Sequence, residues 1–211
     1  YLFGVIPEER CRKVMEIGGG YGFLMRDLLM HGPGGRPGLK PNSASHLQAA
    51  MVDISPAMLS RQRQTLSHFE VRYLQSDFFD MDPCLIQDQD LVVMNEVLGD
   101  FPTACQIQRD SVVQGSHDIR FLDRVREYLN QGIIELPDKE PVNLNIGAME
   151  ALDRLCACQV PFIFLSEHSC EAVVTDHMAR YIKLRPAEAP QEIKLIGHSE
   201  YTIRFSHLER I

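Results

Sequence analysis

The chain alternates short apolar runs with longer segments in which apolar residues recur every three or four positions. Short runs of Val, Ile, Leu and Met are typical of buried parallel strands, and the longer segments are typical of the helices that connect them. The predicted strands cover residues 13–17, 47–52, 71–74, 90–94 and 161–165, and the last is expected to be buried on both faces. The pattern predicts an α/β fold with a doubly wound, mainly parallel sheet.

Capping and turn residues divide the rest of the chain. A helix is predicted over residues 23–30, directly after a glycine-rich turn, and Ser55 followed by Pro56 is typical of a helix N-terminus. Gly and Pro recur between residues 31 and 45, which predicts a surface loop or a disordered segment. Near the end of the chain, alternating residues within 193–205 predict a C-terminal antiparallel hairpin.

A long connection, residues 103–159, separates the fourth predicted strand from the fifth. Two apolar stripes with helical spacing lie in it, formed by Ile119, Leu122, Val125 and Leu129, and by Ile146, Met149, Leu152 and Leu155. Because such a connection exceeds the usual crossover, part of it is expected to cover the active site. We therefore expect one domain over residues 1–211 with a helical insertion at about 103–159. The chain starts at Tyr1 rather than Met, so we expect it to be part of a longer protein.

Charge and composition narrow the class of partner. The formal net charge is -8, with 21 Lys and Arg against 29 Asp and Glu, so a nucleic-acid partner is not expected. No apolar run approaches the roughly 20 residues of a membrane span, and no signal peptide is evident, which predicts an intracellular, cytoplasmic protein. The six cysteines are widely spaced and are expected to be reduced and mostly buried.

The glycine-rich turn carries the main chemical signal. Residues 16–22 read Glu-Ile-Gly-Gly-Gly-Tyr-Gly between a predicted strand and a helix, where backbone must let a ligand approach closely. A dinucleotide fingerprint starting at Gly18 and Gly20 would need Gly or Ala at Phe23, and a P-loop would need Gly-Lys-Ser/Thr after the glycines. The spacing instead resembles the first motif of S-adenosylmethionine (SAM) methyltransferases, in which Glu16, Gly18, Gly20 and Gly22 are the matching positions.

Polar residues at three other strand ends are expected to meet at the same edge of the sheet. Asp53, followed by Ile54, is placed to accept both ribose hydroxyls, since a carboxylate has enough lone pairs for two donors. In similar methyltransferases an acid at the place of Asp77 holds the adenine amino group, and an apolar neighbour, here Phe78, contacts the ring. Asp77 could instead cap a turn. Asn95 ends the fourth predicted strand. The resemblance implies a class I, Rossmann-like methyltransferase fold that uses SAM and releases S-adenosylhomocysteine.

Three stretches are similar to the MidA-like family of methyltransferases. They are residues 16–29, residues 53–56 with Leu59, Arg61, Gln62 and Leu66 after them, and residues 95–102, which read Asn-Glu-Val-Leu-Gly-Asp-Phe-Pro. Mitochondrial members of that family methylate an arginine of a respiratory complex I subunit during assembly. The resemblance therefore implies a protein substrate, with arginine as a candidate acceptor and the mitochondrial matrix as the location for a eukaryotic relative.

This sequence departs from the MidA-like pattern at two places. The acid of the family falls at Gly99, and Asp100 follows one position later; at the tail Thr202 matches, whereas Arg204 stands where the family has a histidine. Glu96 and Asp100 are our candidates for catalysis, because paired carboxylates could grip a guanidinium. Solvated surface acids would give the same pattern.

Two other functions stay open. The glycine turn, with His31 after the helix, also resembles aminopropyltransferases that use decarboxylated SAM, although residues 94–97 lack the acidic segment of those enzymes. The domain could also bind SAM without turnover, as an assembly factor. No metal site is expected, because Cys156 and Cys158 lack the spacing that zinc sites prefer.

Overall fold

The computed structural model describes residues 6–7, 10–31, 47–114, 121–138, 140–181 and 186–211. The strands in these ranges are β1 (Lys13–Ile17), β2 (Gln48–Asp53), β3 (Val71–Gln75), β4 (Leu91–Asn95), β5 (Ala104–Ile107), β6 (Val142–Leu144), β7 (Phe162–Ser166), β8 (Glu192–Lys194) and β9 (Ser199–Tyr201). The helices are α1 (Phe23–His31), α2 (Pro56–Thr65), α3 (Pro83–Gln87), α4 (Arg109–Gln114), α5 (Leu122–Asn130), α6 (Ile146–Ala157), α7 (Asp176–Ala179) and α8 (Phe205–Leu208), with 3-10 turns at Phe78–Asp80 and Leu98–Asp100.

A five-stranded parallel sheet organises the first of two compact units, residues 1–97 and 154–166. Its strand order is β3-β2-β1-β4-β7, so the chain runs outward from β1 to β3 and then restarts beside β1 at β4. The strand order therefore reverses between β1 and β4. In open α/β sheets ligands bind outside the carboxyl ends of the strands at such a reversal. The predicted Rossmann-like fold class is confirmed, and each predicted strand lies within one residue of its observed ends.

Both faces of the inner strands are covered, as expected for a parallel sheet flanked by helices. The buried residues on one face pack into a cluster with residues of α1, and its members include Val14, Met25, Leu29, Ala49, Met51, Leu66, Leu91 and Val93. The neighbouring residues Met15, Ala50, Val92 and Met94, which point to the opposite face, are also buried. The predicted burial of the fifth strand is wrong: all five residues of β7 are half-buried. Within the described residues β7 pairs only with β4, so it lies at an edge of the sheet.

The second unit comprises residues 98–153 and 167–211. The two predicted helices of the long connection are present as α5 and α6, although Ile119 lies outside the described residues. The connection also contains β5 and β6, an irregular antiparallel pair that the sequence pattern does not predict. The C-terminal hairpin is confirmed as β8 and β9, but its second strand ends at Tyr201 and the chain then enters α8. The predicted loop at 31–45 falls almost entirely outside the described residues.

An ionic network joins α5 to α6 within the second unit. Arg124 donates from Nε to Glu150 Oε1 at 2.8 Å and from Nη2 to Asp153 Oδ2 at 3.1 Å. The hydroxyl of Tyr128, which is fully buried, donates to the same Asp153 oxygen at 2.5 Å. Burial and this acidic partner raise the pKa of Tyr128. The network therefore gives hydrogen-bond partners to Arg124 and to the hydroxyl of the buried Tyr128.

Only half of the six cysteines are buried. Cys11, Cys158 and Cys170 are buried, whereas Cys84, Cys105 and Cys156 are exposed. The expectation of mostly buried thiols is therefore wrong. No helix within the described ranges is long and apolar enough to cross a membrane.

Gly99 allows the 3-10 turn after β4 to lie directly against the hairpin. A Cβ at position 99 would sit 2.7 Å from the carbonyl oxygen of Tyr201, which is closer than real contacts allow. The Gly99 N–H donates to Glu167 Oε2 at 3.1 Å, and this bond holds the turn in place. An acidic side chain at position 99 therefore does not fit against this hairpin.

We expect Gly99→Ala to lower the melting temperature by about 4–8 °C. Overpacking against backbone costs about 2 kcal/mol, and in a chain of this size each kcal/mol shifts the melting temperature by about 2–4 °C. Differential scanning calorimetry measures the shift. Gly132→Asn is the matched control in the same unit: its φ is +72° and the space around it is open, a conformation that Asn tolerates. Equal melting temperatures for Gly99→Ala and the parent protein would contradict the close contact.

Candidate functional site

The glycine-rich turn between β1 and α1 is built from left-handed backbone. Gly18, Gly20 and Gly22 have φ values of +63°, +50° and +80°, which favour glycine at each position. A Cβ at Gly18 would lie 2.4 Å from Val97 Cγ2, so the chain leaving β4 packs directly on the turn. At Gly20 no described heavy atom lies within 4 Å of the Cβ position, so this part of the backbone is open to a ligand.

Glu16 lies beneath the turn, with 1% of its surface exposed. The Met25 N–H, in the first turn of α1, donates to its carboxylate, so Glu16 caps the helix from inside. Its Oε2 atom is buried and has no hydrogen-bond partner among the described residues. Burial raises the pKa of Glu16 to about 7, and the bond from Met25 opposes the rise.

Asp53 at the end of β2 is held by one donor on each carboxylate oxygen. Oδ1 accepts from the Ser55 N–H at 2.9 Å, and Oδ2 accepts from Gln62 Nε2 at 3.1 Å. Ser55 also caps α2 through its hydroxyl, which accepts from the Met58 N–H, and Pro56 follows in the first turn. Since a carboxylate oxygen accepts two hydrogen bonds, each oxygen of Asp53 keeps capacity for one more donor. The next residue, Ile54, is 67% exposed.

Asp77 and Phe78 follow β3. Asp77 Oδ1 accepts from the Phe79 N–H at 2.9 Å and so caps the 3-10 turn Phe78–Asp80, which was the alternative interpretation of this residue. Phe78 is 3% exposed and packs edge to face on Phe79, with ring centroids 5.4 Å apart. Little of the Phe78 ring is therefore left for a ligand to contact.

Asn95 and Glu96 form the end of β4. Asn95 is half-buried and lies in register with Ser166 of β7. Glu96 is exposed and has a φ of +51°, although its side chain is not one that favours left-handed backbone. Its N–H donates to the Ser166 carbonyl at 2.8 Å, and this bond helps to hold the unusual conformation. Strained backbone at a strand end is typical of functional sites.

Asp100 belongs to an acidic cluster within the second unit. Asp100 Oδ1 lies 3.6 Å from His198 Nε2, and Glu200 lies two residues further along the hairpin, on the same face as His198. Asp100, His198 and Glu200 each offer a ligand atom, and these atoms lie within 4.8 Å of one another. Burial raises the pKa of Asp100; His198 opposes the rise and Glu167 adds to it. The cluster can bind a cationic group.

A family model described as "Putative S-adenosyl-L-methionine-dependent methyltransferase" matches residues 7–139, well over half of the chain. The chain belongs to this methyltransferase family. The match includes the glycine turn, Asp53, Asp77 and the Asn95-Glu96 strand end. No curated protein matches the chain significantly.

Three solved structures illustrate what this methyltransferase-family chain is similar to. The CurJ carbon methyltransferase is 21% identical, with 47% of this chain and 25% of that chain covered and a TM-score of 0.34. The mycolic acid cyclopropane synthase CmaA1, complexed with SAH, is 10% identical over 68% and 53% of the two chains, with a TM-score of 0.34. PKMT2 from Rickettsia typhi, complexed with AdoHcy, is 17% identical over 62% and 31%, also with a TM-score of 0.34. The chain thus spans between a quarter and about half of these proteins.

SAM is the cofactor of the family, and the first unit has groups that fit it. The open backbone at Gly20 permits close approach, Asp53 retains two acceptor positions for hydroxyl donors, and Ile54 exposes an apolar surface beside them. These three features surround the carboxyl ends of β1 and β2. The same unit contains Asn95 and Glu96, whereas Asp100 lies in the second unit.

The sequence pattern did not single out one residue that contacts two parts of the candidate site. Gln62 stood out in the sequence only as part of a resemblance, yet its side chain is fully buried and contacts both the glycine turn and Asp53. A glutamine on the buried face of a helix, between two apolar positions, was the available signal.

Glu16 makes the stability of the methyltransferase fold depend on pH. Because its folded pKa is raised from 4.5 to about 7, the folded state holds the proton more tightly than the unfolded state. The stabilisation that protonated Glu16 contributes to the parent protein is therefore fully present below pH 4.5 and is lost as the pH rises through about 7. Glu16→Gln cannot titrate at this position. The free energy of unfolding of Glu16→Gln, relative to that of the parent protein, should therefore rise by up to about 3 kcal/mol between pH 4.5 and about 7.

Urea unfolding at pH 4.5, 5.5, 6.5 and 7.5 measures the difference between the two proteins. Glu70→Gln, at an exposed position, serves as the control and should give a constant offset. A constant offset for Glu16→Gln as well would show that Glu16 titrates normally.

Proposed function

We propose that this chain transfers a methyl group from SAM to a cationic nitrogen of a protein side chain, with arginine as the first candidate. The family membership supports the cofactor. The acidic cluster of Asp100, His198 and Glu200, with the charge of Glu167 nearby, is the observation that favours a cationic acceptor. The MidA-like resemblance supports arginine in particular, although Gly99 and the tail differ from that pattern.

The proposed cofactor position follows the strand ends. The backbone of Gly18, Gly20 and Gly22 would approach the methionine part of SAM, and Asp53 would accept from both ribose hydroxyls. Ile54 would supply the main apolar contact for adenine, since it is exposed and Phe78 is buried. Asp77 would hold the adenine amino group with the oxygen that does not cap its turn, and Asn95 would contact the methionine amino or carboxylate group. Glu16 would act from beneath, through the turn and α1.

The protein has little chemistry to perform in such a transfer. When bound, SAM supplies a methyl group on a sulfonium, which is already reactive toward a well-aligned nitrogen. The chain must orient the nitrogen and accept a proton. Only three residues separate Glu96 from Asp100 in the sequence, and we propose that both serve the reaction, Glu96 beside the cofactor and Asp100 at the acceptor. The raised pKa of Asp100 would make it a better proton acceptor for a guanidinium than an ordinary carboxylate.

Cofactor binding is the first test. Isothermal titration calorimetry should give micromolar dissociation constants for SAM and S-adenosylhomocysteine, and Asp53→Ala should weaken both by about 10-fold or more, because two charge-assisted hydrogen bonds are lost. Asp27→Ala, an exposed carboxylate on α1, is the control and should leave both affinities unchanged. Tight NADH binding without SAM binding would contradict the proposal, and preference for decarboxylated SAM would favour an aminopropyltransferase.

Transfer itself is tested with labelled SAM and cell lysate, followed by mass spectrometry of the methylated residue. Once an acceptor is identified, Asp100→Asn should leave SAM affinity nearly unchanged and reduce turnover by about 100-fold, the usual scale for a positioned acid–base group. Glu96→Gln should reduce SAM affinity or turnover. Full activity of Asp100→Asn would remove the main support for a guanidinium acceptor.

Adding a chelator distinguishes a metal ion from a cationic acceptor group as the species that the acidic cluster binds. If Asp100, His198 and Glu200 bind the acceptor, EDTA should not change the rate. Binding of labelled SAM with no methylated product from any lysate fraction would instead favour a non-catalytic assembly factor.

A further inference from the structure

Gln62 joins two parts of the first unit that are far apart in sequence. Its Nε2 atom donates to the Gly20 carbonyl at 3.0 Å and to Asp53 Oδ2 at 3.1 Å. The side chain is fully buried, and its backbone packs beneath the turn, since a Cβ at Gly22 would lie 3.5 Å from Gln62 Cα. One amide group therefore touches both the glycine turn and the carboxylate that ends β2.

The orientation of this amide is fixed by its two partners. Both the Gly20 carbonyl and the Asp53 carboxylate are acceptors, so rotating the amide by 180° would place Oε1 against two other oxygens. The observed orientation leaves Oε1 buried with no partner among the described residues. A buried acceptor without a donor costs about 1–3 kcal/mol. An apolar residue would avoid this cost, so packing alone does not explain a glutamine here.

The two bonds of Gln62 have different consequences for a ligand. At Asp53, the bond fixes the plane of the carboxylate together with the Ser55 N–H, which leaves the remaining lone pairs pointing in set directions. At Gly20, the bond turns the carbonyl toward α2. Because C=O and N–H point in opposite directions across a trans peptide, the Tyr21 N–H is turned away from α2. The turn therefore presents a donor, rather than a carbonyl, on its open side.

We propose that Gln62 is a positioning residue for SAM, which sets the ribose-binding carboxylate and the glycine turn in one geometry without touching the cofactor. The proposal rests on the ribose position at Asp53 given above. A purely structural role would predict that changing Gln62 alters stability and that all ligands weaken equally. A positioning role predicts that the ribose hydroxyls in particular lose their contribution to affinity.

The test uses the purified protein, calorimetry and two probes: S-adenosylhomocysteine and its 2′,3′-dideoxy analogue, which lacks both ribose hydroxyls. In the parent protein the analogue should bind about 30-fold more weakly, as expected for two hydrogen bonds to a carboxylate. Gln62→Met keeps the size and removes both donors. It should weaken S-adenosylhomocysteine by about 10-fold and reduce the difference between the two probes to about 5-fold or less.

Two further variants make the test specific. Gln62→Glu is nearly isosteric but places a second carboxylate beside Asp53, so it should bind S-adenosylhomocysteine more weakly than Gln62→Met at pH 8 and recover as the pH is lowered. Gln64→Met, exposed on the same helix, is the matched control and should match the parent with both probes. Melting temperatures report folding for every variant.

Asp53→Asn distinguishes two possible failures: that Gln62 does not position SAM, and that the ribose does not bind at Asp53. If Asp53→Asn leaves the difference between the probes intact, the ribose does not bind at Asp53, and both proposals fall. If Asp53→Asn abolishes the difference and Gln62→Met keeps it at about 30-fold, the ribose position stands and the role of Gln62 is overturned. Should Gln62→Met fail to fold, Gln62→Glu decides: an unchanged difference overturns the role.

Discussion

The close packing of the backbone from Gly18 to Gly22 is the constraint on which the first unit depends. A Cβ at Gly18 would clash with Val97, and one at Gly19 would clash with the side chains of Met51 and Glu16. At Gly20 and Gly22 the requirement for glycine comes from the left-handed backbone, with φ values of +50° and +80°. The contact with Val97 ties the end of β4 to the turn that follows β1. Two strand ends that are far apart in sequence thereby share one small volume, as binding of a single ligand requires.

Two acidic residues of the first unit, Glu16 and Asp53, differ in their roles because they lie in different environments. Glu16 lies on the buried side of the turn, where desolvation raises its pKa to about 7. Asp53 stands at the open end of β2, half-buried and held by two donors. The first carboxylate is suited to supporting backbone from within, and the second to meeting hydroxyl groups from outside. The sequence motifs alone predicted Glu16 and Asp53 as cofactor-binding residues of the same kind.

The sequence predicted the elements whose pattern is local. Each sheet strand is an apolar run bounded by turn residues, and Ser55-Pro56 marks a helix start, so both were found to within a residue or two. The short strands β5 and β6 were missed because three or four residues are too few to show a period. The exposure of β7 depends on which strands pair, and the roles of Gln62 and of the His198–Glu200 hairpin depend on contacts between distant residues. None of these is encoded in local periodicity.

Gly99 carries a consequence for how this part of the chain can change during evolution. The backbone of Tyr201 occupies the space that a side chain at position 99 would need, and the Gly99 N–H donates to Glu167. Three separate segments therefore meet at this contact. A mutation that places an acid at position 99 does not fit the present packing unless the hairpin moves away from the turn. The order of substitutions is therefore constrained. An acid at position 99 would require coupled changes in the turn and the hairpin, so a single substitution there is a poor guide to function.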